Sequence, residues 1–174
     1  TTTWTGDTVS SADTSSGDIW ECELTPTDGV DFGVSSTDSV DISAPWEMIA
    51  AGGRHSCGLD TVGDVTCWGE NSDSQSSPPS RVFDHVAAGG FHSCGISSGL
   101  IYCWGRDTDE QVSDAPSTGS YHEVQLGLKH SCSRNTSGNL DCWGRDLSGC
   151  TKPPTGSYTA MTVGEYHGCA LDNT

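Results

Sequence analysis

The amino-acid sequence predicts an all-β repeat chain, and three observations predict it. Apolar residues make up 33% of the 174 residues, while Gly, Ser, Thr and Asp crowd the rest. That balance is too polar for an α/β enzyme core and normal for short strands joined by many turns. No window of a dozen residues carries apolar side chains at helical spacing. Finally, cysteines recur at a nearly fixed interval with turn residues between them.

Residues 1–45 have a grammar of their own. Asp18-Ile19-Trp20-Glu21-Cys22-Glu23-Leu24 alternates as a strand, Pro26-Thr27-Asp28-Gly29 reads as a turn, and Ser39-Val40-Asp41-Ile42-Ser43 reads as a closing strand before Ala44-Pro45. An aromatic residue two positions before a cysteine on such a strand resembles strand F of immunoglobulin-like modules. The segment is similar to the C-terminal half of bacterial surface modules of the immunoglobulin or polycystic-kidney-disease type. That resemblance implies a bridge from Cys22 to an earlier strand, upstream of Thr1.

From residue 46 the chain repeats. Ala50-Ala51-Gly52-Gly53-Arg54-His55-Ser56-Cys57-Gly58-Leu59 returns as Ala87-Ala88-Gly89-Gly90-Phe91-His92-Ser93-Cys94-Gly95-Ile96. It comes back, degenerate, as Leu126-Gly127-Leu128-Lys129-His130-Ser131-Cys132-Ser133, and last as Val163-Gly164-Glu165-Tyr166-His167-Gly168-Cys169-Ala170-Leu171. The steps Cys57 to Cys94, Cys94 to Cys132 and Cys132 to Cys169 are 37, 38 and 37 residues. A second signature follows in three copies, Cys67-Trp68-Gly69, Cys103-Trp104-Gly105 and Cys142-Trp143-Gly144. Periods in this range mark solenoids and propellers, whose units bury a core only against their neighbours. The units run over about 46–82, 83–120, 121–158 and a partial 159–174.

Within a unit the two cysteines lie 10, 9 and 10 residues apart. Thr61-Val62-Gly63 and Thr136-Ser137-Gly138 read as three-residue hairpin loops with a left-handed Gly, and Ser98-Gly99 as a two-residue turn. These lengths set Cys57 opposite Cys67, Cys94 opposite Cys103 and Cys132 opposite Cys142, at the separation a disulfide needs. Each staple contributes roughly 2–3 kcal/mol in the chain-entropy account. Zinc is the competing use of cysteine, but no C-x2-C pair exists in the chain. Nine cysteines in so polar a sequence therefore indicate an oxidising, extracellular or cell-surface compartment.

Strand alternation puts His55 and Cys57 on one face and Ser56 on the other. Trp68 follows Cys67 and so points away from the disulfide, available to pack on the next unit, and Trp104 and Trp143 hold the same structural position in their repeats. The Gly-Gly pairs allow close approach of neighbouring backbones.

Over residues 46–174 these motifs resemble the regulator of chromosome condensation repeat family, and most closely a secreted bacterial branch with disulfide-bonded hairpins. The resemblance implies blades of a seven-bladed β-propeller whose loops carry binding functions. Those functions range from nucleotide exchange on a small GTPase to inhibition of secreted β-lactamases. Both depend on loop residues outside the repeat motif, so neither transfers.

The four recurring histidines, His55, His92, His130 and His167, are spread around a repeat axis rather than converging on a metal, and a bond to a neighbouring blade's backbone is expected of each. No serine stands in G-x-S-x-G, and His55 and Ser56 face opposite ways, so the chain is read as non-catalytic. Cys169 is expected to pair about ten residues on, beyond Thr174. Cys150 has no counterpart in the other repeats on this reading and is the candidate for an extra intrachain or intermolecular bridge. Asn135-Thr136-Ser137 fits an N-glycosylation acceptor, and exposed Ser and Thr leave O-linked glycans open.

Lys plus Arg number 7 against 24 Asp plus Glu, a net charge of −17. Phosphate binding needs clustered cations, so nucleic acid is excluded as a partner. No apolar run reaches the roughly 20 residues of a membrane helix, so direct insertion is not expected. Hard oxygen ligands for calcium could come from Asp28 with Asp31, or from Asp107, Asp109 and Glu110, though neither group has the spacing of a known calcium loop. No other cofactor is called for.

The expectation is an all-β chain: part of an immunoglobulin-like sandwich followed by three and a half propeller blades. An open set of blades has uncovered edges. It is thus either a fragment of a longer protein or a subunit completed by copies of itself. The favoured function is an extracellular structural or adhesive surface protein of fibre or filament type. The alternative is a soluble protein-binding or inhibitory propeller.

Overall fold

The computed structural model describes residues 18–24, 36–42, 46–147 and 149–172, with side chains from residue 46 onward. The chain divides into two compact units, Thr1–Pro45 and Trp46–Thr174. In the first, β1 (Asp18–Leu24) and β2 (Ser36–Ile42) form one antiparallel ladder that pairs Cys22 with Asp38. The Cys22 side chain, Asp28 and Asp31 lie outside what is described. So does the rest of the expected immunoglobulin-like half-sandwich.

The second unit is a series of antiparallel sheets, and among the described residues it contains no helix. β3 (Trp46–Ala51), β4 (His55–Asp60) and β5 (Val65–Gly69) make the first blade. β6 (His85–Ala88), β7 (His92–Ser97) and β8 (Leu100–Gly105) make the second. β9 (Tyr121–Leu126), β10 (His130–Asn135) and β11 (Leu140–Gly144) make the third. β12 (Tyr158–Val163) and β13 (Gly168–Asp172) begin a fourth. In each three-stranded sheet the middle strand carries the His–Ser–Cys run. β3 lies against β6, β6 against β9 and β9 against β12, so the first strand of each blade lines a shared inner side. The chain is an all-β, propeller-type array.

Turn chemistry sets the outer hairpins. Gly63 and Gly138 sit at φ 89° and 84°, where an L side chain is strained, and Ser98-Gly99 turns with φ 52° and 78°. Asp60 Oδ1 accepts the N–H groups of Val62 and Asp64, and Asn135 Oδ1 those of Ser137 and Asn139. One short polar side chain thus closes each longer loop.

The apolar core is distributed between blades rather than within them. Cys57, Leu59, Phe83, Val86 and Trp104 cluster between blades one and two. Cys94, Ile96, Ile101, Val124, Leu126 and Trp143 are buried in the equivalent cluster between blades two and three. A lone three-stranded sheet could not bury these side chains, and stacking supplies the second face.

Candidate functional site

The pairing registers place Cys57 opposite Cys67, Cys94 opposite Cys103 and Cys132 opposite Cys142, and each pair is disulfide-bonded across its outer hairpin. The next register pair on each hairpin is Ser with Trp: Ser56 with Trp68, Ser93 with Trp104, Ser131 with Trp143. Alternation turns these to the face opposite the disulfide. The result is a seam in which the disulfide face of one blade meets the Ser–Trp face of the next.

In the first seam His55 Nε2 and Ser93 Oγ are hydrogen-bonded at 2.7 Å. Ser93 Oγ also donates to the Gln75 carbonyl at 3.0 Å, and Trp104 Nε1 donates to that same oxygen at 2.9 Å. The Gln75 side chain is fully buried and its Oε1 accepts the Asp73 N–H. Outside this latch, Arg106 bonds Asp73 at 2.8 Å and stacks on Phe91. The second seam repeats the pattern. His92 Nε2 meets Ser131 Oγ at 2.8 Å, Trp143 Nε1 donates to the Gln111 carbonyl at 2.9 Å, and Arg145 approaches Asp109 at 3.8 Å.

Two sequence expectations are corrected here. Each latching histidine bonds a serine hydroxyl of the next blade, not its backbone, because that serine faces back across the seam. Trp104 and Trp143 pack toward the preceding blade, not the next one, since they share the serine's face. Trp68 is 48% exposed and lies against Trp46. The Gly-Gly pairs do bring backbones together. Gly53 N donates to Gly89 O, and a Cβ on Gly52 would stand 2.5 Å from that oxygen.

Burial governs the latch imidazoles. His92, wholly inaccessible, has its pKa pushed down to about 3 by loss of solvent, with His130 and His55 adding repulsion. Burial also lowers His55 and His130. Neutral imidazole is the form that can share one proton with a hydroxyl in either direction.

The third seam departs from the pattern. The residue equivalent to Ser93 and Ser131 is Gly168, and His130 Nε2, on a side chain 2% exposed, has no hydrogen-bond partner. Gln75 and Gln111 each stand seven residues after the tryptophan, and seven after Trp143 stands Cys150. Cys150 has no cysteine counterpart in the other repeats; in sequence it stands at the spacing that Gln75 and Gln111 hold. Its thiol donates to Arg145 O at 3.1 Å. Cys150 is free and half-buried, and Cys169 is free and exposed. His167, in the incomplete blade, is exposed.

The remaining candidates have local roles. Asp107 Oδ1 accepts the N–H groups of Val112 and Ser113, and those bonds hold its carboxyl below the usual range despite partial desolvation. Asp109 pairs with Lys129 at 3.0 Å, which lowers its pKa. The described residues contain no group of three metal-ligating side chains. Asn135 ends β10, and its amide oxygen is engaged with the turn that follows, as above. The sequence reading missed Ser93, Ser131, Gln75 and Gln111. The glutamines were findable from their fixed distance to the tryptophan.

Residues 49–75 match the family model described as the Regulator of chromosome condensation (RCC1) repeat. Among solved structures, the chain is similar to the entire ectodomain of the Physcomitrella patens receptor kinase CR4, with 29% identity and a TM-score of 0.65 over 82% of this chain and 40% of that one. It is also similar to the CRINKLY WD40 ectodomain of the Arabidopsis thaliana receptor kinase ACR4, at 26% identity and TM-score 0.64 over 78% of this chain and 52% of that one. The likeness to Prp20p from Saccharomyces cerevisiae, 17% identical with TM-score 0.60 over 72% of this chain and 42% of that one, concerns the fold; that structure is described with its binding properties to Gsp1p and histones. The chain spans about half or less of the length of these relatives. The fold is that of β-propeller blades, with one repeat matched to the RCC1 model.

Proposed function

We propose that this chain is part of an extracellular, non-catalytic β-propeller that binds protein partners. The observation that carries the reading is the set of three hairpin disulfides, one on each complete blade. Such staples persist in an oxidising compartment. The likeness to two receptor-kinase ectodomains supports the same compartment and a binding role. The yeast relative described with its protein binding supports the latter again. Net charge of −17 favours basic protein surfaces over nucleic acid. Glycans on Asn135 or on exposed Ser and Thr fit the same setting.

Antibody against residues 46–172 applied to unpermeabilised source cells and to their medium tests the compartment. Surface or medium staining, with Cys57–Cys67 recovered oxidised, is the expected result. Antigen confined to the cell interior with free thiols at Cys57 and Cys67 would sink the reading.

A structural or adhesive fibre is the second reading, and one feature favours it. Trp46 and Trp68 lie against each other in the open, and Ile49 of the same blade is exposed as well, apolar surface of the kind that marks contacts. Light scattering across a concentration series separates the two: growing mass supports assembly, constant monomer mass removes it.

A further inference from the structure

The first seam carries, on its outer edge, side chains that the other two seams lack. In all three the chain enters the next blade by the same bond: Phe83 N donates to Gly63 O, Tyr121 N to Gly99 O and Tyr158 N to Gly138 O. Those bonds align the residues around them. Before the turn glycine stand Val62, Ser98 and Ser137, and before the aromatic residue stand Arg81-Val82, Gly119-Ser120 and Gly156-Ser157. Tyr102 and Asp141 each precede the second cysteine of their hairpins and are equivalent in the same way. Serine, glycine and aspartate therefore satisfy the fold at these positions. The first seam has two valines, an arginine and a tyrosine instead.

These side chains meet solvent. Val62 and Val82 are 68% and 61% exposed. A Cβ on Gly63 would fall 2.5 Å from Val82 Cγ1, so Val82 lies beside the turn that holds Val62. Arg81 is exposed as well, with its guanidinium carbon 3.6 Å from the centre of the half-buried Tyr102 ring. Blades one and two both have three strands, so this exposure belongs to a finished seam. Six of the chain's seven cations pair with a carboxylate. Among the described residues Arg81 has no such partner, in a chain with 24 acidic residues. Stacking on the ring restrains the guanidinium and leaves its edge N–H groups open, the fork that matches a carboxylate.

We propose that Val62, Arg81, Val82 and Tyr102 form a docking surface for a protein segment that presents a carboxylate beside an aliphatic side chain. The carboxylate takes the N–H edge of Arg81, and the aliphatic group covers the valines. The partner as a whole can still be basic. Net charge steers the encounter, whereas a local charge pair fixes the register once the surfaces meet. The inference rests on the protein-binding reading above and adds to it the place of contact and the chemistry of the segment.

The test pans a phage-displayed library of short linear peptides on the full, oxidised 174-residue chain. Selected peptides should be enriched in Asp or Glu next to Leu, Ile or Val. A Val62→Ser/Arg81→Gly/Val82→Ser variant, which gives the first seam the residues of the third, should melt with the parent and lose those peptides. Arg81→Gln alone should weaken the tightest peptide about tenfold, as should changing the peptide's carboxylate to its amide. The two changes together should cost little more than either one, because they remove the same contact. A selection without acidic-aliphatic enrichment would overturn the proposal, and so would additive losses in that cycle. Peptides held equally by the parent and the triple variant would remove this surface while leaving the protein-binding reading in place.

Discussion

The seam between blades one and two and the seam between blades three and four are built from the same backbone plan with different side chains. In the first, one serine hydroxyl joins an imidazole to a loop carbonyl that also accepts the tryptophan N–H. In the last, the serine is Gly168, the glutamine is Cys150 and the imidazole of His130 has lost its partner. A backbone bond from Leu128 N to Glu165 O still crosses it. The difference teaches that the blade-to-blade attachment is modular. Backbone approach sets the spacing, and a removable polar latch sets the strength.

The largest way to break the completed seams is acid. His92 is held neutral in the folded chain with its pKa near 3, whereas an unfolded histidine titrates near 6.5. Between those values the unfolded state binds the proton and the folded state does not, so stability is full above pH 6.5 and falls as the pH drops toward 3. The loss at pH 3 is on the order of 4–5 kcal/mol for this group alone. Urea unfolding from pH 7 to pH 4 should show it as the difference between the parent and His92→Gln, in which carboxylate effects shared by both chains cancel. Parallel pH profiles in the two proteins would refute it.

Next in size is the staple of the second blade. Removing Cys94–Cys103 through Cys94→Ala/Cys103→Ala should cost about 2–3 kcal/mol, since its loop is short. Denaturant midpoints measure this. Ser131→Ala should cost about 1–3 kcal/mol, because it strands the fully buried His92 Nε2. Ser56→Ala, at the same repeat position but with no histidine bonded to it among the described residues, should stay within ±0.5 kcal/mol. Equal losses for the two serines would refute the latch.

The smallest change sharpens the comparison from the other side. A Cβ on Gly168 meets nothing nearer than Thr162 O at 3.6 Å, so a side chain fits there. Gly168→Ser should give His130 its hydroxyl and stabilise the third seam by about 1 kcal/mol beyond Gly168→Ala. Thermal melts of the two variants side by side decide it.

Much of this was legible in the sequence, because cysteine spacing and turn chemistry are local. Cys57 with Cys67 and Gly63 at the turn are fixed by hairpin length and by φ, without tertiary information. The direction of Trp104 was not legible. Alternation says that it opposes the disulfide, but not which neighbour lies on that side. Gln75 was hidden for a different reason: its contribution to the latch is a main-chain carbonyl, which any residue possesses. Only its recurrence at Gln111 marks the position. Cys150 shares its spacing from tryptophan with Gln75 and Gln111, but a position whose residue type changes between copies carries no repeat signal of its own.

None of the three described disulfides crosses a seam; each closes on its own hairpin, with partners 9 or 10 positions apart. Under a pulling force the array would therefore come apart as links rather than as thread. Seams would open one after another while each outer hairpin stayed locked. Every oxidised blade would hold back about 30–35 Å of contour length that reduction would release. A thiol reagent added during stretching would lengthen each step without changing their number.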